Sequence, residues 1–308
     1  MNLGNHKNDE PLVSVCIQTY QHAPYIRQAL DSVLMQKTDF PYEILIGEDE
    51  STDGTREICM EYAEKHPDII RLFLNSRENV IYINGQATGR WNFINNIINA
   101  KGSYIALLPG DDYWTDPLKL QKQIAYLKKE KDCVACFHCV KQEFLDVKKN
   151  RIACKLPSGT KYSLLDMVTV TGIVPCSFLF RKSATPFFPE WFYHVPSGDK
   201  ALFSIIAQKG NLGYINECMG VHRHHGKGIW TKLSLYEQIK NEITLRETIC
   251  DNIFDGNKKA HQKARLFIAN KCVNIAKKRE DYQISIVEAI GYLFLALKLA
   301  PKSLKNVF

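Results

Sequence analysis

The sequence contains no internal repeat and no low-complexity tract, which sets aside repeat and disordered classes. Its ten cysteines in 308 residues are too few for a small disulfide scaffold. The N-terminus, Met1-Asn2-Leu3-Gly4-Asn5-His6-Lys7, has no apolar core, so no signal peptide is read and a reducing cytoplasm with free thiols is the expected setting. Ile284–Ala300 is apolar but spans seventeen residues and contains Glu288 and Lys298, short and charged for a membrane span. What is present fits a globular protein: 45% hydrophobic, 24% charged and 11% aromatic residues, enough for one large domain or two modest ones. The net charge of +7 is uneven, because residues 227–308 carry fifteen basic and eight acidic side chains while the remainder balances. A basic tail beside a neutral body points to an anionic surface as partner. Nucleic acid is not expected, since no recognition motif or ordered aromatic interleaving accompanies the charge.

Apolar periodicity predicts alternating strands and helices through the first 140 residues. Strands are expected at Leu12–Thr19, Tyr42–Gly47, Ile69–Leu74 and Tyr104–Leu108, with helices over Tyr25–Gln36, 55–66, 86–99 and Pro117–Lys129, the last capped by Asp116. The fold class is therefore α/β, a mostly parallel sheet flanked by helices, with ligands expected at the carboxyl ends of the strands. Beyond Val140 come a polar excursion at 141–162, a strand at Ser177–Arg181, a helix at Ala201–Gln208, two short strands at Leu212–Ile215 and Met219–Val221, and a helical extension from Leu233, broken at Gly256. The expected division is a catalytic domain over 1–230, with a donor half near 12–140 and an acceptor half near 141–230, followed by a basic helical region over 231–308.

Cys133-x-x-Cys136-x-x-Cys139 has the spacing of a cluster ligand run but lies in a segment that reads as a strand. A period of two sends Cys133 and Cys139 to one face and Cys136 to the other, so one ion cannot collect all three. Thr19–Pro24, after the first strand, has no glycine, which speaks against a dinucleotide-binding dehydrogenase.

Carboxylates cluster after two strands, in Glu48-Asp49-Glu50-Ser51-Thr52-Asp53-Gly54 and Gly110-Asp111-Asp112. Ser51 and Asp53 suit capping of the next helix. Capping does not explain Glu48, Asp49 or the adjacent Asp111-Asp112 pair, whose mutual repulsion a hard divalent cation, Mg²⁺ or Mn²⁺, would relieve. A solvated turn remains the bland alternative for that pair.

Val13-Ser14-Val15 with Thr19-Tyr20, Ser32-Val33-Leu34-x-Gln36, Asp49-x-Ser51-Thr52-Asp53-Gly54-Thr55, Lys101-Gly102-x-Tyr104-Ile105-Ala106 and Gly110-Asp111-Asp112-Tyr113-Trp114 follow one another in that order. Together they resemble glycosyltransferase family 2, inverting nucleotide-sugar enzymes of the GT-A fold, over about Leu12 to Trp230. The resemblance implies sugar transfer from a nucleotide-diphosphate donor, a UDP-sugar being favoured, to a glycan or lipid-linked acceptor in bacterial surface polysaccharide assembly. It implies Asp112 and His225 as ligands of a divalent cation (Mn²⁺ or Mg²⁺), with Asp111 on the donor ribose or the metal shell. Asp49 would accept from the base ring N–H and Tyr20 would line the base pocket. Arg90, Asn92 and Arg223 would meet donor phosphate or sugar. Asp199, in Ser197-Gly198-Asp199-Lys200 at the start of a helix, would be the general base, its alternative being an N-cap.

The chain departs from the family pattern at Pro109, where relatives carry a further Asp, and at Glu48 and Glu50. Trp230 is a candidate lid, while Tyr113 and Trp114 are expected to pack beneath the acidic loop. The aromatic run Phe187–Tyr193 is acceptor platform or core. His222, His224 and Lys227 are alternatively a solvated basic loop. The C-terminal helix, with Lys298, Lys302 and Lys305 near its end, either packs on the catalytic domain or lies in a membrane interface, placing the protein in the cytoplasm or peripherally on the inner membrane face. A catalytically inactive nucleotide-sugar-binding protein of the same fold is the alternative function.

Overall fold

A computed structural model describes residues 10–301 except 154–155, 186, 227 and 229. The N-terminal residues 1–7, Lys227, Lys302 and Lys305, named above, lie outside the described residues.

The chain begins β1 (Val13–Thr19), α1 (Ala23–Leu34), β2 (Tyr42–Glu48), α2 (Thr55–Lys65) and β3 (Ile70–Leu74). It continues through β4 (Ile81–Ile83), β5 (Gln86–Thr88), α3 (Arg90–Asn99) and β6 (Tyr104–Leu107). Then follow β7 (Tyr113–Trp114), α4 (Lys119–Lys129), β8 (Cys133–Phe144), β9 (Arg151–Ala153), β10 (Lys161–Tyr162), α5 (Leu164–Met167), β11 (Leu179–Arg181), α6 (Gly198–Ala207) and β12 (Asn211–His224). Three helices close the chain: α7 (Leu235–Ile253), α8 (Lys258–Lys277) and α9 (Ile286–Leu299).

One sheet runs in the order β10-β12-β8-β11-β6-β1-β2-β3. Parallel pairing joins β6, β1, β2 and β3, and also β8 with β12, while β11 runs antiparallel between β6 and β8. The long strands therefore share one direction, and their carboxyl ends share one edge. This is the expected α/β architecture.

Alternation along the strands sorts side chains into two layers. Val13, Val15 and Ile17 of β1 and Ile44 and Ile46 of β2 face the α1–α2–α4 side, where Ile26, Ala29, Leu30 and Val33 form the apolar stripe of α1. Cys16 and Leu45 face the opposite layer, built on Phe93, Ile94 and Ile97 of α3 and on α6. Leu245 and Ile249 of α7 join that layer, whereas Ile239 packs with α8 and α9 in a separate cluster.

Three local features differ from expectation. The two short strands anticipated at 212–221 are one strand, β12, whose register shifts at Ile215/Cys218 and Cys218/Gly220 let the polar Asn216 and Glu217 bulge out without ending the pairing. A further register shift where β8 meets Asn211/Leu212 reverses the side-chain parity after Cys133. Cys133 and Cys136 consequently share one layer and Cys139 lies in the other, so the expected pairing of faces is wrong, although the three thiols remain divided. The nine described cysteines are all free thiols. Finally, α4 starts at Lys119, and Asp116 takes the Leu118 N–H (2.8 Å) just before it.

Candidate functional site

Four strand ends converge on one edge. β1 leads into Tyr20-Gln21-His22, β2 into Asp49-Glu50, β6 into Gly110-Asp111-Asp112, and β12 ends at Arg223-His224 before His225. The last connection is made by β7, which pairs with β12 through Trp114↔Gly220 and Tyr113↔Val221 and so carries His222–His225 to the Asp111 loop.

At the centre, His225 Nε2 lies 3.0 Å from Asp111 Oδ2, and His22 Nε2 lies 3.9 Å from the same oxygen. These three residues each offer one ligand atom, all within 4.8 Å of one another, and form the one such group among the described residues. Gly110 makes the approach possible: a Cβ there would stand 2.6 Å from Thr19 Oγ1 and 3.1 Å from His22 Nδ1. Burial raises the Asp111 carboxyl, but the His225 hydrogen bond and the two imidazoles outweigh it and hold the group below the usual carboxylate range. Burial lowers the His22 imidazole, keeping it a neutral donor of a lone pair.

Asp112 is turned the other way. It is 1% exposed, its Oδ1 accepts the Arg223 N–H (2.9 Å), and the Cys176 thiol lies beside it. Burial and the neighbouring Asp111 charge push its carboxyl well above the ordinary value. Adjacent residues point to opposite sides, and the structure gives the outward position to Asp111. Asp111 therefore lies beside the imidazoles, while Asp112 is buried against the Arg223 N–H. His22, which sequence reasoning did not single out, completes the group with Asp111 and His225.

Arg223 is also committed to structure. Its Nη1 donates to the Asp111 carbonyl (2.7 Å) and its Nη2 to Gln28 Oε1, and the guanidinium stacks 4.3 Å from the Tyr113 ring. These contacts tie it to the acidic loop. Tyr113 and Trp114 pack beneath that loop: Trp114 is 1% exposed and donates Nε1–H to the Cys176 carbonyl (2.8 Å). His222 is half-buried, and burial lowers its imidazole against the opposing charges of Asp111 and Asp199. His224 stacks on Phe144 at 4.2 Å.

On the β1–β2 side, Tyr20 is partly exposed with the Arg77 guanidinium 4.1 Å above its ring. Asp49 is held by Asn75 Nδ2 (3.3 Å), and burial pushes its carboxyl up to about 6. Arg77 was not singled out in the sequence; its N–H also binds Glu50 Oε2 (2.7 Å). Gln21 and Glu50, immediately after Tyr20 and Asp49, have left-handed backbones (φ 55° and 59°), a strain that non-glycine residues accept where a loop must aim its neighbour. Glu48 is fully buried and collects the N–H groups of Glu50 and Ser51 together with Arg56 Nε. Asp53 takes the Ala23 and Thr55 N–H groups (3.0 Å each), but the capping position of α2 is Gly54, so neither Asp53 nor Ser51 is its N-cap, and Ser51 Oγ instead accepts from Gln21 N (2.9 Å).

Asp199 occupies the first turn of α6, half-buried, with Ser197 Oγ donating to its Oδ1 (2.5 Å); it makes no N-cap hydrogen bond. Arg90 lies behind it, 5% exposed, donating to the Phe192 carbonyl and to the Val195 carbonyl (2.9 Å) and packing 4.7 Å from the Phe192 ring. Asn92 is buried too and donates to the Gly47 carbonyl (2.7 Å). Neither is a surface helix start, and their donors are given to carbonyls of the 192–198 loop and of the β2 end. Phe192 is core, Trp191, Tyr193 and Phe188 pack against it, and Phe187 is exposed. Trp230 stands beside this loop, with Lys200 Nζ 5.4 Å from its ring.

An open α/β sheet with acidic and imidazole side chains gathered at its carboxyl edge is the class of fold that binds ligands at that edge. Comparison narrows the class. A family model described as glycosyl transferase family 2 matches residues 14–186, more than half of the chain. The chain belongs to that family. An uncharacterized protein of Mycobacterium tuberculosis (strain H37Rv) is 34% identical over 218 residues, covering 71% of this chain, which in turn spans 60% of that relative's length. The putative teichuronic acid biosynthesis glycosyltransferase TuaG of Bacillus subtilis is 34% identical over 133 residues, 42% of this chain and 47% of its own. Among solved structures, Staphylococcus aureus TarS in complex with UDP-GlcNAc superposes with a TM-score of 0.61 at 17% identity, covering 95% of this chain and 84% of that one, a likeness of fold.

Proposed function

We propose that the chain is an inverting glycosyltransferase that moves a sugar from a nucleoside-diphosphate donor, a UDP-sugar being favoured, to a glycan or lipid-linked acceptor in surface polysaccharide assembly. The observation that carries this reading is the gathering of His22, Asp111 and His225 at the carboxyl edge of the sheet, the edge to which β1 and β2 also bring Tyr20 and Asp49. Support for the polysaccharide setting comes from family membership and from the name borne by TuaG.

The family implies a divalent cation, and the donor set fits one: two imidazoles and one carboxylate with open edges toward solvent. Imidazole is a poor ligand for Mg²⁺ and a good one for Mn²⁺ and its first-row neighbours, so Mn²⁺ is the favoured ion. Bound there by His22, Asp111 and His225, it would act as a Lewis acid toward the departing diphosphate. Asp49 accepts the base ring N–H, and the Tyr20–Arg77 pair gives the base a flat face to stack on. Arg223 and Asp112 hold the acidic loop in place. Asp199 takes the proton from the acceptor hydroxyl as its oxygen forms the new bond to the anomeric carbon. The bond to the donor oxygen breaks on the opposite face, its electron pair leaving with the diphosphate.

Donor hydrolysis measured with and without Mn²⁺, in wild type and in Asp111→Ala and Asp199→Ala, tests the reading. Turnover that needs the ion and collapses in both variants supports it; turnover indifferent to both substitutions overturns it. Thermal shift against a panel of nucleotide sugars then identifies base and sugar, since a ligand that binds only the folded state raises the melting temperature.

A further inference from the structure

α9 is a two-faced helix. A capping box, Ser285 with Glu288, starts it, and Ala289, Tyr292 and Ala296 bury its inner face against Ile268, Ala269, Cys272 and Val273 of α8. The outer face is also apolar. Ile286, Ile290, Phe294 and Leu297 recur at helical spacing with Val287 on the flank, and all five are exposed, Phe294 by 68% and Val287 by 78%. At 1.5 Å per residue this makes a strip roughly 16 Å long. No described helix is long and apolar enough to cross a membrane.

Charge selects what this strip meets. Glu288, the sole acidic residue of α9, is tied to the Ser285 N–H and hydroxyl, and at 100° per residue it points away from Ile290. Lys298 is exposed on the flank of the strip, and in the turn into α9 the basic Lys277, Lys278 and Arg279 outnumber the exposed Glu280 and Asp281. The segment from 227 onward carries the whole net excess of positive charge. A second copy docking through the same face would bring two such segments together against their repulsion. An anionic lipid surface would neutralise them while covering the strip. We infer that α9 is a membrane-docking helix that lies in the headgroup–acyl boundary of an anionic bilayer, with its Ile286–Leu297 strip inward and the α8 contact outward. The inference goes beyond the transferase reading and stands apart from it, because adsorption requires neither donor nor turnover.

The test is co-sedimentation of the full chain with vesicles of phosphatidylcholine, with and without phosphatidylglycerol. Binding is expected to the anionic vesicles and to weaken as salt rises. Phe294→Ser should lower the partition coefficient about tenfold or more, and Lys298→Glu about fivefold. Both positions are exposed, so circular dichroism and melting temperature should stay at wild-type values. A Phe294→Trp variant should shift its emission to the blue on the same vesicles. Wild-type protein that stays in the supernatant with anionic vesicles, or Phe294→Ser that sediments as wild type does, overturns the inference. So does sedimentation velocity in which Phe294→Ser turns a dimer into a monomer while vesicle binding is unchanged, since the strip would then be a self-association surface. Loss of donor turnover with vesicle binding intact would count against the transferase reading alone.

Discussion

The two consecutive aspartates differ in what they face, and that difference is measurable. Asp111→Asn keeps the shape but removes the charge between two imidazoles, and kcat/KM should fall about a hundredfold or more with Mn²⁺. Asp112→Asn, by contrast, replaces a buried carboxyl that burial already drives toward its neutral form and keeps an acceptor for the Arg223 N–H, so activity should stay within about threefold. The sequence shows that two carboxylates stand there; it does not show the parity of the turn, and so which one faces the ligand was not legible. His22 was hidden for a related reason, since one histidine after a strand looks like any other until the β6 loop is folded over it. Asp49 offers a pH signature. Its carboxyl is raised to about 6 by burial, so in the proposed role of accepting a base N–H it offers a charged acceptor only above that value. Donor affinity measured by calorimetry should weaken as pH falls through about 6, and Asp49→Asn should flatten that dependence while weakening binding throughout. Lys119 behaves in the opposite sense. It is fully buried, its Nζ sits 3.6 Å from the Trp114 ring, and burial lowers it to about 7. A lysine depressed in the fold but normal when unfolded makes stability rise with pH between about 7 and its ordinary value. Lys119→Met should therefore raise the melting temperature most near pH 7, and the gain should shrink as pH climbs toward 10.

At the scale of elements, the strand–helix rhythm of the first 140 residues was readable because Val, Ile and Leu recur at periods of two and 3.6 there. The β4–β5 hairpin was absorbed into the expected 86–99 helix and the segment before it, and β12 was cut in two where its polar bulge interrupts the apolar pattern. Arg90 and Asn92 look like surface residues in one dimension; only the 192–198 loop folded against Arg90, and the close approach of α3 to β2 at Asn92, show them to be buried braces. That approach depends on Gly47, where a Cβ would stand 1.7 Å from Asn92 Oδ1. Gly47→Ala should cost about 1–3 kcal/mol in denaturant unfolding, with the loss spreading to the Asp49 loop as weaker donor binding. Gly102 is constrained by backbone, since a Cβ would stand 2.6 Å from the Ser14 nitrogen, which gives the Lys101-Gly102 motif a packing reason apart from catalysis.

For the whole molecule, a division near residue 230 follows the family resemblance more closely than it follows the packing. Leu245 and Ile249 of α7 sit in the same core layer as Phe178, Leu202 and Ile206, and Glu242 pairs with Lys200, one residue from Asp199 (3.7 Å). A chain ending at Trp230 would expose that layer, and it should melt well below the full-length protein or aggregate on expression. Differential scanning calorimetry that finds an unchanged transition would show the tail to be independent.

The pairing of β7 with β12 joins parts of the polypeptide made far apart in time, because His225 stands 114 positions after Asp111. A nascent chain still on the ribosome presents His22 and Asp111 long before their third companion emerges. The proposed cation site is therefore completed late in synthesis, and unfinished or prematurely terminated products lack its third residue.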